Sequence, residues 1–371
     1  MRRFFYPACL VLLWPLNQLL ARIMRGRFVP GSVLHVSYMG HIPHQSVRIL
    51  REYGVRADYL AVGHSPVWAL ADFQICGTGF ALFTPFREFW MVWTVVARYA
   101  IVHSHFMVTA TRTGWELPLL KRMGRKVVIH YRGCEIRDRE QNMAAHPDVN
   151  ICQECDYNPW PCKAPYNVAR RRLAAIYGDA HLVTTPDLKE FAPAAAHMPF
   201  FSPPDVVAAD RSTSADREFR IVHATNHPGI EGTRHIRAAI DALRLKGFRI
   251  QFQFLQGARH QDVLAALAGA DIAIGKMKMG YYANAQIESM AAGVPTVTYV
   301  RPEFMTPELE QSGFIFATID TLETVLAHYL SNPAELAKKR AAARRSILAL
   351  HDNETVSRQY VALYRAVAAR A

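Results

Sequence analysis

The segment from Asp271 to Val300, DIAIGKMKMGYYANAQIESMAAGVPTVTYV, predicts a strand, a turn, a helix and a second strand in direct succession. The apolar residues 271–274 form the first strand, and the β-branched run 296–300 forms the second. The helix between them carries Glu288, and a glycine and a proline end it. The turn before the helix carries two lysines and a glycine: Lys276, Lys278 and Gly280. Because free N–H groups and the helix dipole favour negative charge at such a turn, we expect an anionic ligand, a phosphate.

The same alternation of strand and helix extends along the chain in both directions. Before the linker, strands are predicted at 32–37 and 58–62, with a helix at 44–53 between them. After it, strands and helices alternate at 219–224, 233–246, 250–255 and 260–268. Repeated βαβ units predict an α/β fold of two Rossmann-like, doubly wound domains that face each other across a cleft.

A segment rich in Pro, Ser and Asp near residues 197–218 marks the boundary between the two domains. The predicted divisions are a membrane-associating segment at 1–28, an acceptor-side domain at 29–205, a nucleotide-sugar-binding domain at 206–345 and a C-terminal helix at 346–371. We expect that last helix to pack back on the N-terminal domain.

The first stretch of the chain predicts an apolar helix with basic ends. Arg2 and Arg3 precede an apolar run from Phe4 to Leu20, and three further arginines follow it. The run is short for a membrane crossing and is interrupted by prolines, so a helix lying in the membrane interface is favoured over a spanning anchor. A secretory signal is a third interpretation, although the run does not end in an A-x-A site. The favoured interpretation predicts a peripheral or monotopic protein on the cytoplasmic face of the inner membrane.

The charge balance indicates an anionic partner. The chain of 371 residues has a formal net charge of +12 and a pI near 9.5. No basic run interleaved with aromatic residues marks a nucleic-acid module, and the longest cluster, 170–172, is typical of a solvated helix face. We therefore expect an anionic membrane surface and a phosphorylated substrate, and no nucleic acid.

Three cysteines lie close together in a loop-rich segment. Cys152 and Cys155 have metal-ligand spacing, and Cys162 follows seven residues later, with His146 or Cys134 as the nearest fourth ligand. A structural zinc site and a group of reduced, packed thiols are both consistent with this pattern. The second is the simpler interpretation, and no metal or cofactor is predicted as a requirement.

Polar side chains follow two predicted strands of the first domain. His105 comes just after the strand at 100–102, and HYRGCEIR at 130–137 follows the strand at 126–129. The ligand crevice of an open parallel sheet lies beyond the carboxyl ends of its strands, so these residues are candidate site residues.

The second half of the chain resembles the nucleotide-binding domain of GT-B glycosyltransferases, close to the large retaining bacterial group 1 of family 4 type. The segments that carry the resemblance are IESMAAGVPTV at 287–297, HATNHPGIEGTRHIRAAIDAL at 223–243, IVHSHF at 101–106 and HYRGCEIR at 130–137. In that family a Glu-x7-Glu motif places its second Glu on the nucleotide ribose, and Glu288 matches it. The first Glu falls at Gly280, and the following residues match as Tyr282 and Ala283. The resemblance implies that their backbone amides, with that of Asn284, bind the diphosphate.

The family's cationic pair departs from the pattern. An Arg-x4-Lys pair neutralises the diphosphate in that family, and Asn226 and Glu231 stand at those positions. We expect Lys276 or Lys278 to replace the lost charge, with His227 and Arg234 in reach of the same site.

The first domain shows a second departure. The family has a His directly before the Gly of its HG motif, and here Arg132 precedes Gly133. Arg132 and His105 are expected to hold the sugar, and Glu135 is a further candidate contact. Gly40 and His41 in the first loop are candidates for donor or acceptor contact.

The resemblance implies a retaining hexosyltransferase that uses a UDP or GDP sugar, needs no cofactor, and acts on a lipid-linked or polysaccharide acceptor in surface polysaccharide synthesis. Two alternatives remain open. The same architecture serves sugar-nucleotide 2-epimerases, and the changes at Gly280, Asn226 and Glu231 favour a non-catalytic homologue that supports a partner transferase.

Overall fold

The computed structural model describes residues 2–38, 41–63, 70–75, 83–203, 206 and 218–370. Gly40 and most of the predicted linker therefore lie outside the described residues.

The first domain is built on a seven-stranded parallel sheet with the order β3-β2-β1-β4-β5-β6-β7. Its strands are β1 Val29–Ser37, β2 Arg56–Val62, β3 Phe73–Ile75, β4 Tyr99–His105, β5 Lys126–Tyr131, β6 Ala180–Val183 and β7 Ala196–His197. β4 is buried at every position, and apolar clusters cover both faces of the sheet. Continuous burial is typical of a parallel sheet with helices on both sides.

The second domain has a five-stranded parallel sheet with the order β12-β11-β10-β8-β9. Its strands are β8 Phe219–Thr225, β9 Ile250–Gln256, β10 Ile272–Ile274, β11 Thr296–Thr298 and β12 Phe314–Phe316. Strand order reverses between β1 and β4 in the first sheet and between β8 and β10 in the second. Ligands of doubly wound sheets bind beyond the strand ends at these switch points.

Fourteen α-helices are described. In the first part of the chain they are α1 Arg2–Ile23, α2 His41–Glu52, α3 Thr84–Thr94, α4 Glu116–Arg122, α5 Arg139–Ala145 and α6 Pro165–Tyr177. In the second part they are α7 Pro228–Glu231, α8 Thr233–Leu245, α9 His260–Ala268, α10 Asn284–Ala291, α11 Pro307–Glu310, α12 Leu322–Ser331, α13 Pro333–Leu350 and α14 Asn353–Ala369. None of the described helices combines the length and the apolarity that a membrane crossing needs.

The last helix, α14, lies against the first sheet. The Asp352 side chain caps it by accepting a hydrogen bond from the Thr355 N–H at 2.8 Å. Its buried side chains, Tyr360 and Tyr364 among them, join the apolar cluster formed with α2 and the first sheet. The chain therefore returns to its first domain after building the second.

The predicted fold class is confirmed: two doubly wound α/β domains are present, with an N-terminal apolar helix. The predicted elements are found with bounds that differ by a few residues. α2 begins at His41 rather than at residue 44, and the last helix begins at Asn353 rather than at residue 346. The shift at α2 places His41 at the helix N-terminus.

Candidate functional site

Glu288 lies between the two domains with its carboxylate surrounded by polar groups. It is 5% exposed, and its Oε1 accepts a hydrogen bond from the Asn284 Nδ2 at 2.9 Å, one turn earlier on α10. The Nε2 of His260 is 3.2 Å from Oε2, and the Nε2 of His41, from the first domain, is 3.9 Å from Oε1. The two histidine side chains are 48% and 46% exposed. The carboxylate therefore faces a polar opening at the domain boundary and not an apolar core.

His260 is a site residue that the sequence interpretation missed. It begins α9 directly after the loop that follows β9, which is the same strand-end position that marked the other candidates. Its hydrogen bond to the Glu288 carboxylate raises the pKa of His260. A protonated His260 would bring positive charge to the edge of the site where an anionic ligand is expected.

The turn before α10 matches the predicted amide site only in part. The Tyr282 side chain is buried and its hydroxyl bonds the His351 Nε2 at 3.0 Å, so this side chain belongs to the core. The Ala283 N–H donates to the Gln286 Oε1 at 3.0 Å, and the predicted role of this amide in diphosphate binding is therefore wrong for the described conformation. The N–H groups of Asn284 and Ala285, at the first positions of the helix, remain candidate donors for an anion.

Lys276 forms an ion pair with Glu231, the residue that stands where the family has its lysine. Lys276 follows β10 by two residues and Glu231 ends α7, so the two lie at the switch point of the second sheet. Both side chains are largely buried, at 19% and 11% exposure. An anionic ligand would therefore meet the positive charge of Lys276, but the Glu231 carboxylate already neutralises that charge.

Lys278 is not available to a ligand, which corrects the prediction that it could replace the missing charge. Its side chain is 2% exposed, and its Nζ donates to the Glu154 Oε2 at 2.7 Å and to the Gly229 carbonyl at 3.2 Å. Glu154 also pairs with the predicted Arg234, at 2.6 Å. These contacts join the cysteine-bearing loop of the first domain to the second domain.

Asn226 and His227 lie in the turn after β8. Asn226 is exposed at this strand end, as expected for a ligand contact. The His227 ring lies 3.9 Å from the Tyr157 ring, and its Nδ1 is 3.6 Å from the Asp156 Oδ1. The same loop of the first domain thus partly covers His227.

Gly280 has a physical reason to be glycine here. Its φ is +84°, and a Cβ would lie 2.3 Å from the Arg301 Nε. The Arg301 guanidinium in turn contacts Glu190, and its Nη1 lies 2.6 Å from the His146 Nε2. Arg301, a second residue that the sequence interpretation missed, therefore fills the space beside Gly280 and joins the domains through an ion pair.

His105 is not a sugar contact, and the structure corrects this prediction. It is fully buried among three other buried histidines: His103 on the same strand, and His35 and His130 on the two neighbouring strands. The His35 Nδ1 is 2.9 Å from the His105 Nε2, and burial lowers the pKa of His35 to about 3 and that of the other three well below its usual range. These rings are neutral at pH 7, and their network supports the residue that follows β5.

That residue is Arg132, which reaches the domain boundary. Its Nε donates to the His105 Nδ1 at 2.9 Å, so the histidine network orients the guanidinium. Arg132 and Asn284 line one narrow cavity between the domains, together with Phe200 and Tyr360. Glu135 is 5% exposed and accepts a hydrogen bond from the Arg132 backbone N–H, so its carboxylate holds the turn rather than a sugar.

The cavity between the domains is too small for a nucleotide sugar. A ligand of that size would enter this cavity only if the two domains separated, and hinge motion between the domains could then close the site over it. The predicted contact at Gly40 lies outside the described residues.

Two side-chain groups of the described residues could hold a metal ion: His35, His103 and His105, and His41, His260 and Glu288. In the first group the His35 Nδ1 bonds the His105 Nε2, and both ring nitrogens of His103 bond groups outside the trio. Arg132 also lies beside these rings, which disfavours a cation. The second group has a carboxylate and two accessible histidines. Its arrangement suits a hydroxyl-bearing ligand as well as a cation, because the carboxylate can accept two hydrogen bonds.

Comparison with solved structures settles the fold. The structure is similar to sucrose-phosphate synthase from Thermosynechococcus elongatus, with a TM-score of 0.62, 13% identity, and coverage of 91% of this chain and 98% of that one. The chain has the GT-B fold. It is also similar to Anabaena HepE solved with UDP (TM-score 0.60, 11% identity, 90% and 99% coverage). A third similar structure is the catalytic domain of Arabidopsis thaliana starch synthase IV bound to ADP and acarbose (0.59, 10%, 91% and 99%). No protein-family model and no curated protein sequence matches the chain.

The GT-B fold confirms the architecture that the resemblance implied. The candidate site at Glu288, Asn284 and His260 lies at the inner edge of that domain.

Proposed function

We propose that this protein is a retaining glycosyltransferase that transfers a hexose from a nucleotide-diphosphate sugar to a membrane-linked saccharide or lipid acceptor. The observation that carries the proposal is the Glu288 carboxylate, held by Asn284 at the inter-domain boundary and open towards two accessible histidines. A carboxylate in this position accepts hydrogen bonds from both hydroxyls of a ribose. The similar HepE and starch synthase structures were solved with UDP and with ADP, which supports a nucleotide ligand for this chain.

The diphosphate would lie between the N-terminus of α10 and the turn at 226–231. The free N–H groups of Asn284 and Ala285 and the helix dipole offer positive partial charge there. Lys276 supplies a cation if it exchanges Glu231 for the diphosphate. A leaving nucleotide diphosphate gains charge in the transition state, so these fixed groups would act mainly on the rate of transfer.

The sugar would lie near Arg132, at the other side of the boundary cavity. The guanidinium cannot act as a base, so its role is to hold and orient hydroxyl or phosphate groups. Closure of the two domains would exclude water, which a transferase needs to avoid hydrolysis of its donor. The retaining transfer that the resemblance implies needs no nucleophile from the protein.

A membrane-linked acceptor is supported by an apolar surface on the first domain. The exposed side chains belong to α1 and the start and face of α3: Val11, Leu12, Leu19, Phe83, Phe86 and Trp90. α1 is fixed on the domain, because the Tyr6 hydroxyl donates to the Glu88 carboxylate at 2.5 Å and the Trp93 Nε1–H to the Asn17 Oδ1 at 2.8 Å. Arg22 and Arg25 are exposed at the end of α1, where anionic headgroups would meet them. A peripheral position on the cytoplasmic face of the inner membrane is part of this proposal.

The proposal is tested with the purified full chain, a panel of UDP, GDP and ADP hexoses, and membrane lipid extract as acceptor. We expect one donor to transfer its sugar into the lipid fraction, and Glu288→Gln to reduce that transfer at least tenfold. Donor conversion without acceptor would instead identify an epimerase. Failure to bind or consume any donor would contradict the proposal.

A non-catalytic role is the second candidate, and specific contacts favour it. Lys276 is paired with Glu231, Lys278 is buried against Glu154, and Arg301 fills the space beside Gly280. Under this candidate the chain binds a nucleotide but shows no transfer to any acceptor. Nucleotide binding measured by titration calorimetry, together with the transfer assay above, separates it from an active enzyme.

A further inference from the structure

Four cysteines line one small cavity beneath the segment between α5 and α6, the loop of the first domain that contacts the second domain. Cys134 lies in the turn after β5, whereas Cys152, Cys155 and Cys162 lie in the segment between α5 and α6. All four are free thiols, and all four line the same cavity, which is about the size of one water molecule. The fold thus brings Cys134 close to three cysteines that follow it by 18 to 28 positions in the chain.

The segment between α5 and α6 has little regular secondary structure and little apolar burial to hold it in place. Between Ala145 and Pro165 its described residues form a single 3-10 turn, Pro161–Lys163, and no α-helix or strand. Its local apolar cluster contains only three buried residues, Ile151, Cys152 and Ile230. A loop of this length inside a compact domain is uncommon unless another constraint fixes it. Small metal sites provide such a constraint where apolar burial is scarce.

The loop also makes contacts that depend on its conformation. The Glu154 carboxylate receives Lys278 at 2.7 Å and Arg234 at 2.6 Å, and Asp156 accepts the Gly229 N–H at 3.1 Å. Gly229 has no room for a side chain there, since a Cβ would lie 2.0 Å from the Glu154 carbonyl oxygen. The loop is therefore fitted closely to the second domain, and its backbone must be held to keep that fit.

We propose that Cys134, Cys152, Cys155 and Cys162 bind one Zn²⁺ as a structural site that fixes this loop. A tetrathiolate is the ligand set of closed, structural zinc, and Cys152-x2-Cys155 supplies the usual close pair. The four thiols would release their protons to solvent as the ion binds. The Arg137 Nη1 donates to the Cys134 Sγ at 3.7 Å, and Arg139 also lines the cavity, so positive charge stands beside the dianionic centre.

The distances set a clear requirement on this site. Tetrahedral zinc with Zn–S bonds of about 2.3 Å places its sulfurs ~3.8 Å apart. In the structure no three of these Sγ atoms all lie within 4.8 Å of one another. Zinc binding would draw the four Sγ atoms towards one centre by rotation about the Cα–Cβ bonds of the cysteines, while the loop backbone keeps its fit to the second domain.

The test is metal analysis of the full chain, purified without a metal-affinity tag. We expect about one zinc per chain, and less than ~0.2 in Cys152→Ser and Cys155→Ser. The matched control is Cys9→Ser, since Cys9 is a buried thiol in α1, away from the four. Replacement of zinc by Co²⁺ in the wild type should give the visible bands of a tetrahedral tetrathiolate, and this readout does not require any variant to fold.

A zinc chelator should lower the melting temperature of the wild type and of Cys9→Ser by the same amount. Wild-type protein without zinc, or a Cys152→Ser/Cys155→Ser double variant that keeps its zinc, would overturn the assignment. Iron with acid-labile sulfide in place of zinc would also overturn it. None of these outcomes bears on nucleotide binding by Glu288, so the two proposals fail separately.

Discussion

Replacing Glu288 by glutamine should weaken nucleotide-diphosphate binding while leaving the fold intact. In the wild type the Asn284 Nδ2 donates to the Glu288 Oε1 at 2.9 Å. The amide oxygen of the glutamine can still accept this hydrogen bond, so the start of α10 is preserved. The amide accepts one ribose hydroxyl where the carboxylate accepts two, and the bond that remains loses its charge. A hydrogen bond to a charged group contributes about 1.5–3 kcal/mol, which corresponds to a loss of roughly 10- to 150-fold in affinity.

Isothermal titration of the full chain with UDP, GDP and ADP measures this loss. A second readout is the His260 imidazole, followed by NMR as the pH is changed. Its pKa is raised by Glu288, so it should fall in the variant. The matched control is Glu335→Gln, which removes another carboxylate paired with a histidine, His328, at 2.8 Å on the outer helices. Equal nucleotide affinity in the wild type and Glu288→Gln, with the fall in the pKa of His260 observed, would refute the reasoning.

The remaining predictions concern charge, pH and stability. Glu231→Gln should tighten nucleotide binding several-fold because it frees Lys276 from its ion pair, whereas Lys276→Gln should weaken it; titration calorimetry gives both signs, and equal effects would contradict the assignment. Burial raises the pKa of Glu116 to about 7 from a usual 4.5, so its contribution to stability is present below pH 4.5 and is lost as pH rises through 7. Glu116→Gln should therefore raise the free energy of unfolding by ~1–3 kcal/mol at pH 8 and change it little at pH 5, as urea titrations at the two pH values would show. Arg125→Met should lower the free energy of unfolding by about 3–5 kcal/mol, because the buried guanidinium bonds four backbone carbonyls, two of them at the end of α1; a loss below ~1 kcal/mol in urea titration would contradict this.

The fold could be predicted because each strand and helix is indicated by the pattern of residues within its own short stretch of sequence. Most strands of the two sheets are short apolar or β-branched runs, several of them followed by polar residues, and several helices have an apolar face and end near a glycine such as Gly293. Parallel strands then bring those ends to one edge, which is why Arg132 was a candidate from its strand end. Glu288 was assigned to the site through the family resemblance. The order of strands and helices can therefore be predicted without knowing which side chains are in contact.

The details of the site could not be predicted, because they depend on pairing between distant residues. Nothing near Lys278 in the sequence shows that Glu154, 124 residues earlier, buries and neutralises it. His105 follows a strand as a ligand contact would, yet β1 and β5 place histidines on both sides of it. His260 was detectable in principle, since it follows β9, but no motif distinguishes it from other residues at helix starts.

The most direct measurement is a crystal structure of the full chain with the nucleotide diphosphate that calorimetry shows to bind. The account predicts both ribose hydroxyls within about 3 Å of the Glu288 carboxylate, with the phosphates at the first N–H groups of α10. A nucleotide bound elsewhere, or one that leaves the contacts of Glu288 with His260 and Asn284 unchanged, would contradict it.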